Sequence, residues 1–278
     1  MRYVSVRSGE APYAALLEGE RLVPLGFEDV GAMLRAGGLG SPAPVGESVA
    51  LGEAALAPVV PAPPRIFCVG LNYRTHIIEM RRELPAHPTL FAKFPAALVG
   101  PRDDSCLPAL SEQVDWEAEL AVIVGRRGRH LTRDEALEAI AGYSVINDVT
   151  ARDFQNRTLQ WLQGKTFEGT CPFGPALVTP DEIDHARDLE VTCEVDGEVV
   201  QRARTSDLLF DPPELVAYIS QLMTLEPGDV IATGTPGGVG AGMDPPRYLK
   251  DGSVVRTRIE GIGELVNVCV AEASAARP

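Results

Sequence analysis

Aromatic residues make up only 6% of the 278 positions, and histidine occurs four times. The histidines stand at 76, 87, 130 and 185, with none paired at short spacing, so the sequence offers no basis for a histidine-rich zinc site. Cysteine is sparse and odd in number: five residues, at 68, 106, 171, 193 and 269, without a Cys-x-x-Cys pair. That excludes a disulfide framework and a thiolate zinc site and reads as buried or incidental thiols in a reducing compartment. Basic charge is also short. Twenty-five Lys and Arg face 39 Asp and Glu, for a net charge of −14. A nucleic-acid partner is therefore not expected, because phosphate binding needs a clustered positive field.

No apolar run approaches the ~20 residues of a membrane helix. The N-terminal MRYVSVRSGE alternates and leads into no apolar stretch, unlike a signal peptide. The expectation is no membrane partner and a cytoplasmic location. Three familiar motifs also fail. Gly164-Lys165-Thr166 resembles the end of a phosphate-binding loop, but Leu159 stands where its first glycine belongs. The run from Gly234 to Gly242 never spells the dinucleotide fingerprint. Gly142-Tyr143-Ser144 would need glycine at Ile146 to form a nucleophile elbow.

What the chain does have is turn formers, 27 Gly and 23 Pro, which favour β-rich architecture. Alternating runs at Arg2–Val6, Tyr13–Leu17 and Arg21–Leu25 predict a small meander, followed by a short helix over Val30–Ala36. APVVPAPP, residues 57–64, can be neither helix nor central strand and reads as a link. The organisation expected is a small N-terminal β-rich domain, 1–60, and a main body, 65–272. In the body, Trp116–Val124 and Tyr143–Asp148 are expected strands. Thr132–Ala141 is an expected helix, opened by a Thr132…Glu135 capping box and closed by Gly142. Asp196-Gly197 predicts a type I′ hairpin, and Pro212–Met223 has helical spacing.

The chemistry concentrates on Asp115-Trp116-Glu117-Ala118-Glu119. Side chains two apart on a strand share a face, so Glu117 and Glu119 project together beside Ala121 and Ile123. Two carboxylates there repel each other and suffer desolvation unless a hard dication neutralises them; a solvated edge strand is the alternative. Asp148, at the end of an apolar strand, is a third candidate ligand, or else a helix cap. His76 and Glu79 share a helix face, where a carboxylate can orient an imidazole; an ordinary surface contact is equally compatible. Lys165 lies in an apolar neighbourhood that calls for an anion, although a surface lysine is the simpler reading.

Taken together these residues resemble the fumarylacetoacetate hydrolase family. The matching strings are Val69–Met80, Glu117-Ala118-Glu119, Asn147–Asp153, Gly164–Pro172, Leu225–Asp229 and Thr233–Gly240, in the family's order. The resemblance implies a β-rich α+β fold, a rolled core of mixed sheets behind a small N-terminal domain, assembled as a homodimer. It implies Mg²⁺, or Mn²⁺ or Ca²⁺, held by Glu117, Glu119 and Asp148. It also implies catalytic roles for His76, Glu79 and Lys165, and substrate contacts from Arg152, Gln155, Thr235 and Lys93. The substrate class is a 2-oxo acid. The activity expected first is hydrolysis of a C–C bond in an acylpyruvate or fumarylpyruvate. Isomerisation or decarboxylation of a hydroxydienoate or oxaloacetate is the alternative, and a binding protein without catalysis a remote one.

Overall fold

The computed structural model describes residues 1–9, 11–40, 43–79, 81 and 83–272; of residue 79 only the backbone is included. Among these, the strands form a twelve-stranded mixed sheet, a five-stranded sheet and a two-stranded ribbon. Across the large sheet the main path runs Val49–Ala50, Arg21–Pro24, Tyr13–Glu18, Arg2–Arg7, Cys171–Val178, Ile140–Asn147, Ala118–Val124, Val230–Ala232, Ile66–Gly70 and Thr89–Lys93. Most neighbours are antiparallel, but Ile66–Gly70 runs parallel to Val230–Ala232. The five-stranded sheet is ordered Glu198–Arg204, Glu190–Val195, Val254–Ile259, Gly263–Ala271 and Ser105–Leu107. The expected β-rich α+β fold with mixed sheets is what the chain forms.

Both faces of the large sheet are covered, which is why its central strands Ala118–Val124 and Ile140–Asn147 are mostly apolar, with Glu119, Ser144 and Asn147 as buried polar exceptions. Ala118, Leu120, Val122 and Val124 face a core shared with Val191, Cys193, Val255 and Ile259 of the smaller sheet and with Leu215, Val216 and Ile219 of the helix Pro212–Leu222. Ala121 and Ile123 face a second core, with Val30, Met33 and Leu34 of the helix Val30–Arg35. The alternation read from the sequence thus separates two cores.

Arg2–Arg7, Tyr13–Glu18 and Arg21–Pro24 build the expected meander, and Arg2–Arg7 pairs antiparallel with Cys171–Val178, so the meander continues the main sheet. The proline-rich stretch after it is packed: Val59 and Val60 are fully buried, and the Val59 carbonyl accepts from Ser5 Oγ at 2.8 Å.

The capping box is present. Thr132 N–H donates to Glu135 Oε2 at 2.8 Å, and Glu135 N–H to Thr132 Oγ1 at 3.3 Å. The helix it opens is Arg133–Ala139, shorter than expected, and Gly142 is not its stop signal. Ile140–Asn147 is a strand paired with Ala118–Val124. A Cβ at Gly142 would stand 2.4 Å from the Val178 carbonyl of the next strand, so the glycine serves close strand approach. The Asp196-Gly197 turn has φ of 54° and 86°, as a type I′ hairpin requires.

Candidate active site

The acidic strand is interrupted where it matters. Val114–Asp115 pairs with Thr150–Ala151, and Ala118–Val124 pairs with Ile140–Asn147, leaving Trp116 and Glu117 between two ladders. There the Glu117 N–H donates to the Asn147 side chain at 2.9 Å, and its carbonyl accepts from Asp148 N–H at 2.9 Å. This crosslink sets Asp148 beside the pair. Glu117, Glu119 and Asp148 are all buried, and one oxygen from each lies within 4.8 Å of the others. The solvated edge strand and the helix cap are both set aside.

Three cations hold this cluster. Lys165 is 2% exposed, not a surface lysine, and donates to Glu117 Oε2 at 2.6 Å and Asp148 Oδ2 at 2.8 Å. Lys93 donates to Asp148 Oδ1 at 2.6 Å. Arg152 Nη1 lies 2.6 Å from Glu117 Oε1. Burial alone would raise the Asp148 carboxyl, but Lys165 and Lys93 outweigh it and hold it below the ordinary carboxylate range. Burial alone would strip Lys165 of its proton; Asp148 and Glu117 reverse that and keep it an ammonium.

Glu119 behaves oppositely. Burial first, then the charges of Asp148 and Glu117, push it well above the usual range. Its Oε2 accepts the Gly234 N–H at 2.8 Å. Gly234 has φ of 99°, and a Cβ there would meet Asn72 Cβ and the Val69 carbonyl at 2.9 Å, so only glycine brings that N–H in.

Glu117, Glu119, Arg152 and Lys165 of the cluster line a cavity of about 550 Å³ whose walls also include His76, Phe91, Gln155, Trp161, Thr235 and Met243. His76 reaches it from the helix Arg74–Glu79, anchored by Ile77 in the interior and by Thr75 N–H to Asp207 Oδ2 at 3.1 Å. Thr235 lines the wall while its hydroxyl donates to the Ala118 carbonyl and accepts from Gln201 Nε2. Of the expected site residues, His76, Glu117, Glu119, Arg152, Gln155, Lys165 and Thr235 converge on this one cavity. Asp148 and Lys93 are the exceptions: both side chains are fully enclosed, paired with each other, and neither is on the wall. The expected Glu79 partner of His76 falls outside the described side chains.

Asp115 was missed as a functional residue. Its carboxylate binds Arg152 Nε at 2.7 Å and the Gly240 and Ala241 N–H groups. The signal was present, since residues 115, 117 and 119 share one strand parity. Nothing in the spacing, however, shows that the first turns away from the other two.

The donor set fits a hard dication. Oxygens about 2.0–2.6 Å from such an ion stand at most about 4–5 Å apart, comparable with the observed spread. Charge agrees: among the described residues, buried Asp115, Glu117, Glu119 and Asp148 face the buried cations Lys93, Lys165 and Arg152. Glu117, Glu119 and Asp148 could hold the ion, with all-oxygen ligation favouring Mg²⁺, Mn²⁺ or Ca²⁺ over zinc.

A profile of the family described as Fumarylacetoacetate (FAA) hydrolase C-terminal matches residues 65–270. The chain belongs to the fumarylacetoacetate hydrolase family. Among relatives of this enzyme family, the protein named oxaloacetate tautomerase Fahd2a, mitochondrial, from Rattus norvegicus is 45% identical over 216 residues, 77% of this chain and 69% of that one. A solved fumarylacetoacetate hydrolase from Exiguobacterium antarcticum is 39% identical, with a TM-score of 0.85 over 98% of this chain and 100% of that one. A solved 2-hydroxyhepta-2,4-diene-1,7-dioate isomerase from Mycobacterium marinum is 36% identical, with a TM-score of 0.83 over 99% and 100%. The last two likenesses take in most of the N-terminal segment. No described helix is long and apolar enough to cross a membrane.

Proposed function

We propose that this member of the fumarylacetoacetate hydrolase family is a divalent-metal-dependent isomerase of 2-oxo acids, interconverting keto and enol forms of an oxaloacetate-type dicarboxylate. The observation that carries the reading is a cluster of three buried carboxylates, two of them (Glu117 and Glu119) on the wall of one cavity that also presents two cations held charged and an imidazole. Acylpyruvate hydrolysis, the activity expected first from the sequence, has less support, because the rat relative is named a tautomerase and the Mycobacterium marinum neighbour an isomerase.

Mg²⁺ is the proposed ion, with Mn²⁺ or Ca²⁺ as substitutes; when bound it supplies Lewis-acid stabilisation of negative charge on the 2-oxo oxygen. The chain's own residues supply the rest. Lys165 stays protonated, so it acts as a hydrogen-bond donor to the oxygen where charge develops and not as the base. Arg152 is likewise held charged by Glu117 and Asp115 against the effect of burial, and its Nη2 has no hydrogen-bond partner, leaving it for a substrate carboxylate. His76 takes the proton from C3 and delivers it to the 2-oxo oxygen to give the enol, and runs the reverse transfer in ketonisation, a role suited to an imidazole near neutral pH. Phe91 and Trp161 shield the site from water.

The test follows enol-oxaloacetate by its ultraviolet absorbance, beside pyruvate release from acylpyruvates, each with Mg²⁺ and with EDTA. Accelerated ketonisation that EDTA abolishes and Mg²⁺ restores is expected. Faster pyruvate release than ketonisation would return the enzyme to hydrolysis. Homodimeric assembly and a cytoplasmic location belong to the proposal as well, checked by sedimentation and by cell fractionation; the mitochondrial address in the rat name belongs to that protein.

A further inference from the structure

Asp115 is a buried carboxylate that faces away from the proposed metal position and has every contact committed elsewhere. It is 0% exposed. Its Oδ1 accepts from Trp116 N–H at 2.8 Å and Gly240 N–H at 2.7 Å. Its Oδ2 accepts from Ala241 N–H at 3.0 Å and Arg152 Nε at 2.7 Å. One side chain therefore joins the short 3-10 turn Gly240–Gly242, part of the cavity wall, to the arginine on the same cavity.

The contact is built tightly from both directions. A Cβ at Gly240 would lie 1.9 Å from the Arg247 carbonyl and 2.9 Å from Asp115 Oδ1, so only a bare backbone reaches the carboxylate. Trp116 adds a second tie from its indole Nε1 to the Gly238 carbonyl at 3.0 Å. On the other side, Asp115 holds Arg152 Nε while Glu117 and Gln155 hold Nη1. Two carboxylates on two nitrogens fix the plane of a guanidinium, and the remaining Nη2 is the buried atom without a partner.

We propose that Asp115 is a positioning residue that locks the Gly238–Met243 wall to Arg152, so that wall closure and aim of the free guanidinium nitrogen are set together. Its part in turnover rests on the isomerase reading; the locking itself does not. The carboxylate touches neither the three candidate ligands' shared centre nor the cavity surface. It acts through Arg152 and the wall, so the quantity it governs is capture of the 2-oxo acid's carboxylate.

Asp115→Asn keeps the shape but leaves one oxygen acceptor, and its NH₂ would face donors. One of the two ties must then break. Hydrogen exchange of the amides at 238–243 should accelerate about 10- to 100-fold, the size of a lost hydrogen bond to a charged group, with the central strands unchanged. Oxalate affinity, measured with Mg²⁺, should fall by a similar factor. With oxaloacetate, KM should rise while kcat stays within a few-fold. Ala241→Pro removes one of the two wall contacts and leaves Gly240 N–H and Arg152 on Asp115, and the turn accepts proline there because the Ala241 N–H has no partner within it. It should reproduce the exchange effect, and add little when combined with Asp115→Asn. Unchanged exchange at 238–243 in the single variants, or full additivity in the double, would overturn the proposal. If Asp115→Asn does not fold, exchange and oxalate affinity in Ala241→Pro decide alone, and no change in either sinks it. Absence of 2-oxo acid turnover in the unaltered protein would defeat the isomerase reading, while the exchange experiment would still decide the lock.

Discussion

Two cavities of nearly equal size, about 550 and 570 Å³, differ in what becomes of their charges. The first is lined by the Lys165–Glu117 pair, whose side chains are 2% and 7% exposed. The second lies between the helices Arg133–Ala139 and Pro212–Leu222 and is lined by Arg74, Arg133, His185, Arg187 and Asp211. Its ion pair, Arg133–Asp211, is 56% and 42% exposed. Water screens the second pair and leaves the first unscreened, so equal volumes carry unequal chemistry. A cavity becomes a candidate active site when its floor holds charge that the protein cannot hydrate.

The contrast can be tested in order of expected effect. Glu119→Ala and Asp148→Ala should each lower turnover by about 10³ or more and abolish Mg²⁺ binding by calorimetry, since several kcal/mol of charge stabilisation go with the ion. Retained turnover in both would break the comparison. Lys165→Met leaves Glu117 and Asp148 without their shared cation and should cost about 3–5 kcal/mol in urea denaturation, along with most of the activity. His76→Asn should slow ketonisation by about 10²- to 10⁴-fold while oxalate still binds; a loss of binding alone would make His76 an anchor and not a base.

The protonation of the first cavity gives a subtler test. Burial, then the charges of Asp148 and Glu117, favour the protonated form of Glu119, and an ion ligated by Glu119 opposes it. Mg²⁺ uptake should therefore release roughly one proton, and apparent affinity should rise with pH. Calorimetry in buffers of different ionisation enthalpy measures both. At the small end, Arg133→Ala in the second cavity should change stability by less than about 1 kcal/mol and leave ketonisation unaltered.

Much of the site was legible because it follows local rules. The two-residue period placed Glu117 and Glu119 together, and Asp196-Gly197 specified its hairpin by the φ values it tolerates. Other features resisted for one common reason. Lys165 read as a surface residue because its carboxylate partners lie 48 and 17 positions away. Gly142 read as a helix stop because the strand crowding it lies at Val178. Lys93, expected at the substrate, has its enclosed ammonium on Asp148, 55 positions on. Asp115 showed no role until the Gly240 turn, 125 positions on, met it.

Periodicity, turn chemistry and residue type were enough to establish strands, caps and a supply of oxygen ligands, because those depend on neighbours along the chain. Which carboxylate keeps its proton, which ammonium is enclosed, and which nitrogen of Arg152 is left without a partner were settled by folding. Each depends on burial and on charged groups that meet only after distant segments pack and water leaves.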